Sequence, residues 1–305
     1  MNQSSANNPR ARIAFLLLTW TFFTTTSLAS AANWTARALP TRLVNGAPVL
    51  FQVRPPVALE SLSATWLGHN VTFSFDAKSR TWFALAGVSM ETGPGTYPLE
   101  LTGERQAGRK VSSTKTSFSQ KFVVAGAEYP KIEVKLSVEG KFTEPTPEQL
   151  KQIQEGTEVK KDFLNRVTPS REWSGPFTTP VDAPISDVFG TQRIFNGKTS
   201  SWHQGLDFRV PSGTPVMAMN DGTVLLARPL YYEGDFVVVD HGQGLLTLYL
   251  HLSEFKVKEG QQVKRGEELG LSGATGRATG PHLHVAVRWQ ETYLDPARLM
   301  LLRLP

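Results

Sequence analysis

From about Asn33 to Ala125 the chain alternates apolar and polar positions with the period of two that half-buried strands require. Residues 47–53, 71–75, 81–85 and 111–124 are rich in β-branched and aromatic side chains. Turn-forming clusters separate them at Leu67-Gly68-His69-Asn70, Asp76-Ala77-Lys78-Ser79 and Glu91-Thr92-Gly93-Pro94-Gly95. Short strands at this spacing predict a small β-sandwich, with 95–101 patterned like the penultimate strand of an immunoglobulin-like module. His69, inside a turn cluster, reads as an ordinary exposed side chain.

A connector follows. Residues 131–138 alternate as one further strand. Thr146 then opens a helix as its N-cap, with Pro147 at the first helical position and Gln149 completing a capping box. Leu150, Ile153, Val159, Phe163, Leu164 and Val167 supply an apolar face interrupted at Gly156, which predicts a docking helix or helix pair. Lys160 and Lys161 are placed on its solvated side.

From Trp173 the texture changes to proline, glycine and short β-rich runs at 214–219, 222–227, 236–240, 245–250, 263–265, 268–271 and 283–289. This predicts a mainly antiparallel β domain of about 130 residues with almost no helix. The expected organisation is mainly β throughout: a signal segment at 1–31, a sandwich at 32–127, a strand-and-helix connector at 128–172 and a β domain at 173–305.

The first segment has its own pattern. Arg10 and Arg12 are its only charges, residues 13–23 are mostly apolar, and Ala29-Ser30-Ala31 is an A-x-A cleavage site. The apolar core falls short of the roughly 20 residues of a bilayer span, and Thr24-Thr25-Thr26 interrupts it. A secretory signal is expected, cleaved or retained as an anchor, and with it export to the periplasm, the cell envelope or the outside. No later stretch is apolar enough to cross a membrane.

Composition adds exclusions. With 40% hydrophobic and 19% charged residues the chain is neither fibrous nor disordered. It has no cysteine, so disulfides, thiolate metal sites and thiol nucleophiles are all ruled out. Its net charge of +5 becomes +3 once the two arginines of the signal are removed. That excess suits an anionic envelope polymer and is far too weak to argue for nucleic acid. No G-x-G-x-x-G follows a strand, and neither a P-loop nor G-x-S-x-G is present.

The candidate chemistry lies in histidines. There are six, and five fall between His203 and His284. On a strand, residues an even number apart share a face. His203, Gly205 and Asp207 would then point one way while Leu206 and Phe208 face a core, and His282 and His284 would flank an inward Leu283. Taken singly, each histidine reads as a hydrogen-bonded turn residue. Taken together they read as one site, because buried histidines are costly unless paired or metal-bound. A nitrogen-and-oxygen donor set without sulfur suits zinc. His241, in Asp240-His241-Gly242-Gln243-Gly244 between two apolar runs, reads as a hairpin-turn residue.

His203-Gln204-Gly205-Leu206-Asp207, Leu248-Tyr249-Leu250-His251-Leu252 and residues 273–284 (GATGRATGPHLH) together resemble the lysostaphin-type (LytM-like) zinc endopeptidases of bacterial cell walls. Ser186-Asp187-Val188-Phe189-Gly190 and Gly213-Thr214-Pro215-Val216 are similar to that family's framing segments, and the resemblance covers residues 177–296. It implies a zinc site of His203, Asp207 and His284, with His251 and His282 as catalytic histidines beside it. It also implies hydrolysis of amide bonds in peptidoglycan peptides. No H-E-x-x-H helix offers a glutamate, so the non-ligand histidines are the candidates for proton transfer; which of the two is the base stays open. Arg193, Tyr249, Arg277 and Thr279 are candidates to line the groove, and the N-terminal module is a candidate to contact the cleft. The alternative is a non-catalytic wall-binding scaffold that recruits other hydrolases. Its relatives typically lack the ligands that are complete here.

Overall fold

Strand alternation in the first third of the chain produces two sheets that face each other. The structure, a computed structural model, describes residues 33–105, 114–130, 133–195, 197 and 199–305. The signal segment at 1–31, and the first residues of the runs expected at 111 and 131, lie outside the described residues. One sheet orders Thr35–Leu39, Pro48–Arg54, Thr81–Gly87 and Ser74–Asp76; the other orders Leu43–Val44, Thr114–Ala125, Gly95–Arg105, Ser61–Trp66 and His69–Thr72. Along Ser61–Trp66 the residues Leu62, Ala64 and Trp66 point inward while the alternate Ser61, Ser63 and Thr65 stay exposed. Phe51 of the first sheet meets Trp66 and Phe122 of the second, with ring centroids 5.1 and 5.3 Å apart in edge-on and tilted geometry.

His69 departs from the expected exposed turn. It begins a strand, is half-buried, and lies 5.1 Å from the Trp289 ring with Nδ1 3.1 Å from Gln290 Oε1. The sandwich is thereby docked on the C-terminal sheet, and one apolar core continues from Phe51 and Trp66 to Trp289 and Leu294.

The C-terminal sheet runs Ile185–Asp187, Leu206–Phe208, Leu283–Trp289, Leu245–Phe255, Gly234–Asp240, Gly222–Leu230 and Gln262–Val263, with antiparallel neighbours throughout. Its strands are buried on both faces. Val237, Val239, Leu245, Tyr249, Val285 and Val287 enter the main core, whereas Leu226, Phe236, Val238, Leu246, Leu248 and Ala286 form a second core on the opposite face.

That second face is covered in part by the helix Pro147–Leu164, through Val159, Phe163 and Leu164. The helix is continuous through Gly156. Its capping box is closed: Gln149 N donates to Thr146 Oγ1 at 3.4 Å, and Thr146 N donates to Gln149 Oε1 at 2.9 Å. Lys160 is not on a solvated side; its Nζ pairs with Glu233 Oε1 at 2.5 Å and both are shielded, while Lys161 is exposed. The connector strand Glu133–Leu136 pairs in parallel with Gln192–Phe195, which pairs with Thr199–Trp202. It is thus built into the C-terminal half. Among the described residues no helix is long and apolar enough to cross a membrane.

Removing the cap and removing the anchor should differ in size. Thr146→Ala is expected to cost about 1 kcal/mol, and Leu164→Ala, which empties a buried site, about 2–5 kcal/mol. Urea midpoints of the two variants measured side by side check the order.

Candidate metal centre and cleft

Asp207 lies in the middle of the short strand Leu206–Phe208, and its register partner on Leu283–Trp289 is His284. The two backbones approach closely because residue 205 is glycine. A Cβ there would lie 2.4 Å from Val285 O and 2.7 Å from His284 Nε2, distances that no side chain tolerates. Leu206, Phe208 and Leu283 point into the core, which leaves the alternate positions for the site.

His203 arrives differently from the expected shared strand. It sits between Thr199–Trp202 and Leu206–Phe208, outside both. Its own N–H donates to Thr191 O, its carbonyl accepts from Gly190 N, and its ring Nδ1 is 2.8 Å from Val188 O. With Nδ1–H donating to that carbonyl, the neutral ring carries its lone pair on Nε2. His203 Nε2 lies 3.2 Å from Asp207 Oδ1 and 3.1 Å from His284 Nδ1, and His284 Nδ1 lies 2.8 Å from the same Oδ1. These three donor atoms form the one metal-type cluster among the described residues. Lone pairs brought this close in a buried pocket repel one another unless a proton or a metal cation lies between them. The donor set therefore fits a bound metal ion.

The other carboxylate oxygen is occupied. Arg193 Nη2 donates to Asp207 Oδ2, and the same guanidinium donates to Asp187 Oδ2 at 2.6 Å. Asp187 and Asp207 are neighbours across the strand pair, a like-charge arrangement that needs a cation between its members. Burial pushes the Asp207 carboxyl up, but the imidazoles of His203 and His284 close beside it outweigh that and hold the group well below the usual carboxylate range. Asp187 was missed as a site residue by sequence reasoning, although it lies inside a quoted framing segment.

His251 is placed by a backbone irregularity. Strand parity would send it with Tyr249 into the main core. Instead its φ is +63° and the register with Gly234–Asp240 slips at this point, a bulge that turns the ring to the cleft. Its Nδ1 is 2.8 Å from Thr275 O and its ring centroid 4.8 Å from that of His282. His282 forms an isolated bridge with Gly273, has Nδ1 2.8 Å from Gly280 O, and holds Nε2 4.0 Å from Asp207 Oδ1. Burial, reinforced by the charges of His282 and His284, pushes His251 down to about 3; burial alone leads for His284, at about 4.

The structure thus brings His203, Asp207, His284, His251 and His282 to one place, with grooves on two sides. The first is lined by Lys160, Trp202, Phe236, Leu248 and Tyr293, the second by Val134, Leu136, Thr279 and Pro281. Arg193 and Arg277 line both. The connector therefore reaches the cleft, through its strand on one side and its helix on the other. Tyr249 does not line it: the ring is fully buried on the opposite face, its OH accepting from Met219 N at 2.9 Å. His241 occupies the expected turn yet is fully buried, with Nδ1 2.6 Å from Asp221 O and Nε2 2.8 Å from Thr247 Oγ1.

Comparison with known proteins places the chain in a family. A profile described as peptidase family M23 matches residues 201–296. A Pseudomonas aeruginosa protein whose crystal structure is described as that of an M23 peptidase is 32% identical, the match covering 85% of this chain and 95% of that one, with a TM-score of 0.65. The chain belongs to peptidase family M23. Among similar proteins, the peptidoglycan DD-endopeptidase ShyA of Vibrio cholerae is 49% identical over 108 residues, 34% of this chain and 25% of ShyA. The DD-carboxypeptidase/endopeptidase Mpg of Neisseria meningitidis is 41% identical over 117 residues, 38% of this chain and 27% of Mpg. The match thus spans about a quarter of the length of each of these two relatives.

The buried His241 gives this M23 protein a defined acid response. Burial lowers its folded-state value from 6.5 to about 4. Its contribution is complete above the unfolded value and is lost as pH falls toward 4, because below 6.5 the unfolded chain gains a proton that the folded chain does not. At about 1.4 kcal/mol per pH unit this amounts to at most about 3–4 kcal/mol. Relative to a His241→Asn variant, wild type is expected to lose stability between pH 7.5 and pH 4.5, measured as the difference in urea midpoints.

Proposed function

We propose that this M23 protein is a zinc-dependent endopeptidase that hydrolyses amide bonds in peptidoglycan peptides, acting in the cell envelope after export. One observation carries the reading: His203 Nε2, Asp207 Oδ1 and His284 Nδ1 converge within 3.2 Å of one another beside two further histidines, on the floor of a groove. Two imidazoles and a carboxylate are a donor set of catalytic zinc sites, which keep a position open for water. When bound there, zinc acidifies a water molecule and polarises the scissile carbonyl.

The chain's own residues do the rest. Val188 O holds the His203 tautomer, and Arg193 occupies Asp207 Oδ2 so that Oδ1 is presented to the centre. His251 is held neutral by burial, its Nδ1–H donating to Thr275 O, so Nε2 is a lone pair that orients the attacking water. A group held so far down keeps no proton for long. His282 is part-exposed, with Nδ1–H committed to Gly280 O, and its Nε2 faces the centre from the open side. It is the residue placed to carry a proton to the departing amine. Grooves on both sides of the centre suit an extended peptide held across it. The name of ShyA supports the substrate class, and the apolar first segment, with its A-x-A site, supports delivery to the compartment that holds peptidoglycan.

The full chain, loaded with one equivalent of zinc, is expected to release peptide fragments from purified peptidoglycan with new amino termini, identified by mass spectrometry. His282→Ala is expected to reduce the rate by at least about 100-fold. Zinc-loaded protein that binds walls but leaves every amide intact would point to the scaffold instead, and so would a His282→Ala variant indistinguishable from wild type.

A further inference from the structure

The cleft is lined by four cations besides its histidines: two of them are already paired, and Arg209 is exposed at the edge of the second groove. Lys160 is held by Glu233, and Arg193 by Asp187 and Asp207. Arg277 differs. Its guanidinium carbon lies 4.5 Å from the Phe195 ring centroid and 4.7 Å from that of Tyr232, so aromatic surfaces hold it on two sides. Among the described residues no carboxylate pairs with it and no acceptor takes a hydrogen bond from its side chain. Burial pushes its value below the ordinary one.

The backbone beneath it is tightly set. Gly276 has φ +69°, and a Cβ there would lie 2.3 Å from Gly234 N. The next residue's N–H, that of Arg277, donates to Tyr232 O at 2.9 Å. A part-buried guanidinium that is rigidly placed, stacked on rings and denied an acceptor has its planar fork of N–H donors left for a ligand. That fork matches a carboxylate bidentately. Arg277 lines the grooves on both sides of the metal centre, alongside His251.

We infer that Arg277 is the specificity residue of the cleft, pairing with a free carboxylate that the peptide substrate carries close to the scissile amide. The inference rests on the endopeptidase reading for the nature of the substrate. The binding it describes requires neither metal nor cleavage. The carboxylate can come from a chain terminus or from an acidic side chain, which share the same chemistry.

The test is calorimetric, on the full chain without added metal, and uses a short peptide with one free α-carboxylate and one free side-chain carboxylate. Two partner peptides have one or the other group converted to the amide. Wild type is expected to bind one amidated form roughly 10- to 100-fold more weakly, the range for a charged hydrogen-bonded pair, and the form that weakens identifies the source. Arg277→Gln should bind all three peptides alike, and Arg277→Lys should keep part of the preference, which a purely structural role would not produce. Equal binding of the three peptides by wild type overturns the inference, as does an Arg277→Gln variant that still discriminates. Loss of hydrolysis with the carboxylate preference intact would count against the endopeptidase reading alone.

Discussion

The site depends on one cross-strand pair, Asp207 opposite His284. The register of two antiparallel strands places a carboxylate and an imidazole side by side in a buried pocket, and Gly205 lets the backbones come close enough for them to meet. A buried carboxylate cannot stand alone. Its two oxygens are accordingly divided, Oδ2 to Arg193 and Oδ1 to the two imidazoles. The arginine bond orients the carboxylate and offsets the nearby Asp187, while the imidazoles supply the neutral donors that a metal ion needs. Each partner of Asp207 thus has a separate task set by which oxygen it meets.

The rest of the molecule frames this pair. One face of the C-terminal sheet merges with the sandwich in a continuous core, which makes the strands rigid supports. The other face bears the cleft, so that its floor is made of sheet side chains such as Phe236 and Leu248. The connector closes around that face. Its helix brings Lys160 to one groove, and its strand, paired with Gln192–Phe195, brings Val134 and Leu136 to the other. The cleft thus runs between the strand and the helix of the connector, and their side chains bound the room within it.

Much of this was legible from alternation and motif. Many strands of both halves, the capped helix at Thr146, and the inward Leu206, Phe208 and Leu283 follow from local pattern, because periods of two and 3.6 are local properties. Ser61–Trp66 was not anticipated, and the run expected at 71–75 divides between the two sheets. The misreadings came where non-local geometry decides. His203 lies off the strand that parity assigned to it, held by loop hydrogen bonds to 188–191. His251 reaches the cleft through a left-handed bulge residue, a local break that the alternation of the strand does not signal. Tyr249 could have been excluded by parity, since Leu248 and Leu250 occupy the cleft-side positions that flank it. The ion pair of Lys160 and the parallel pairing of the connector strand join residues far apart in sequence, and no local pattern signals them.

The most direct test of the metal centre is to measure metal binding and its ligands together, by titrating the full chain with cobalt(II) and following the visible absorption of the ion. One equivalent is expected to bind with the strong bands of a four-coordinate nitrogen-and-oxygen site, to be displaced by zinc, and to be lost in both His203→Ala and Asp207→Ala. Wild-type protein that takes up no stoichiometric metal, or variants that bind it as wild type does, would contradict the account.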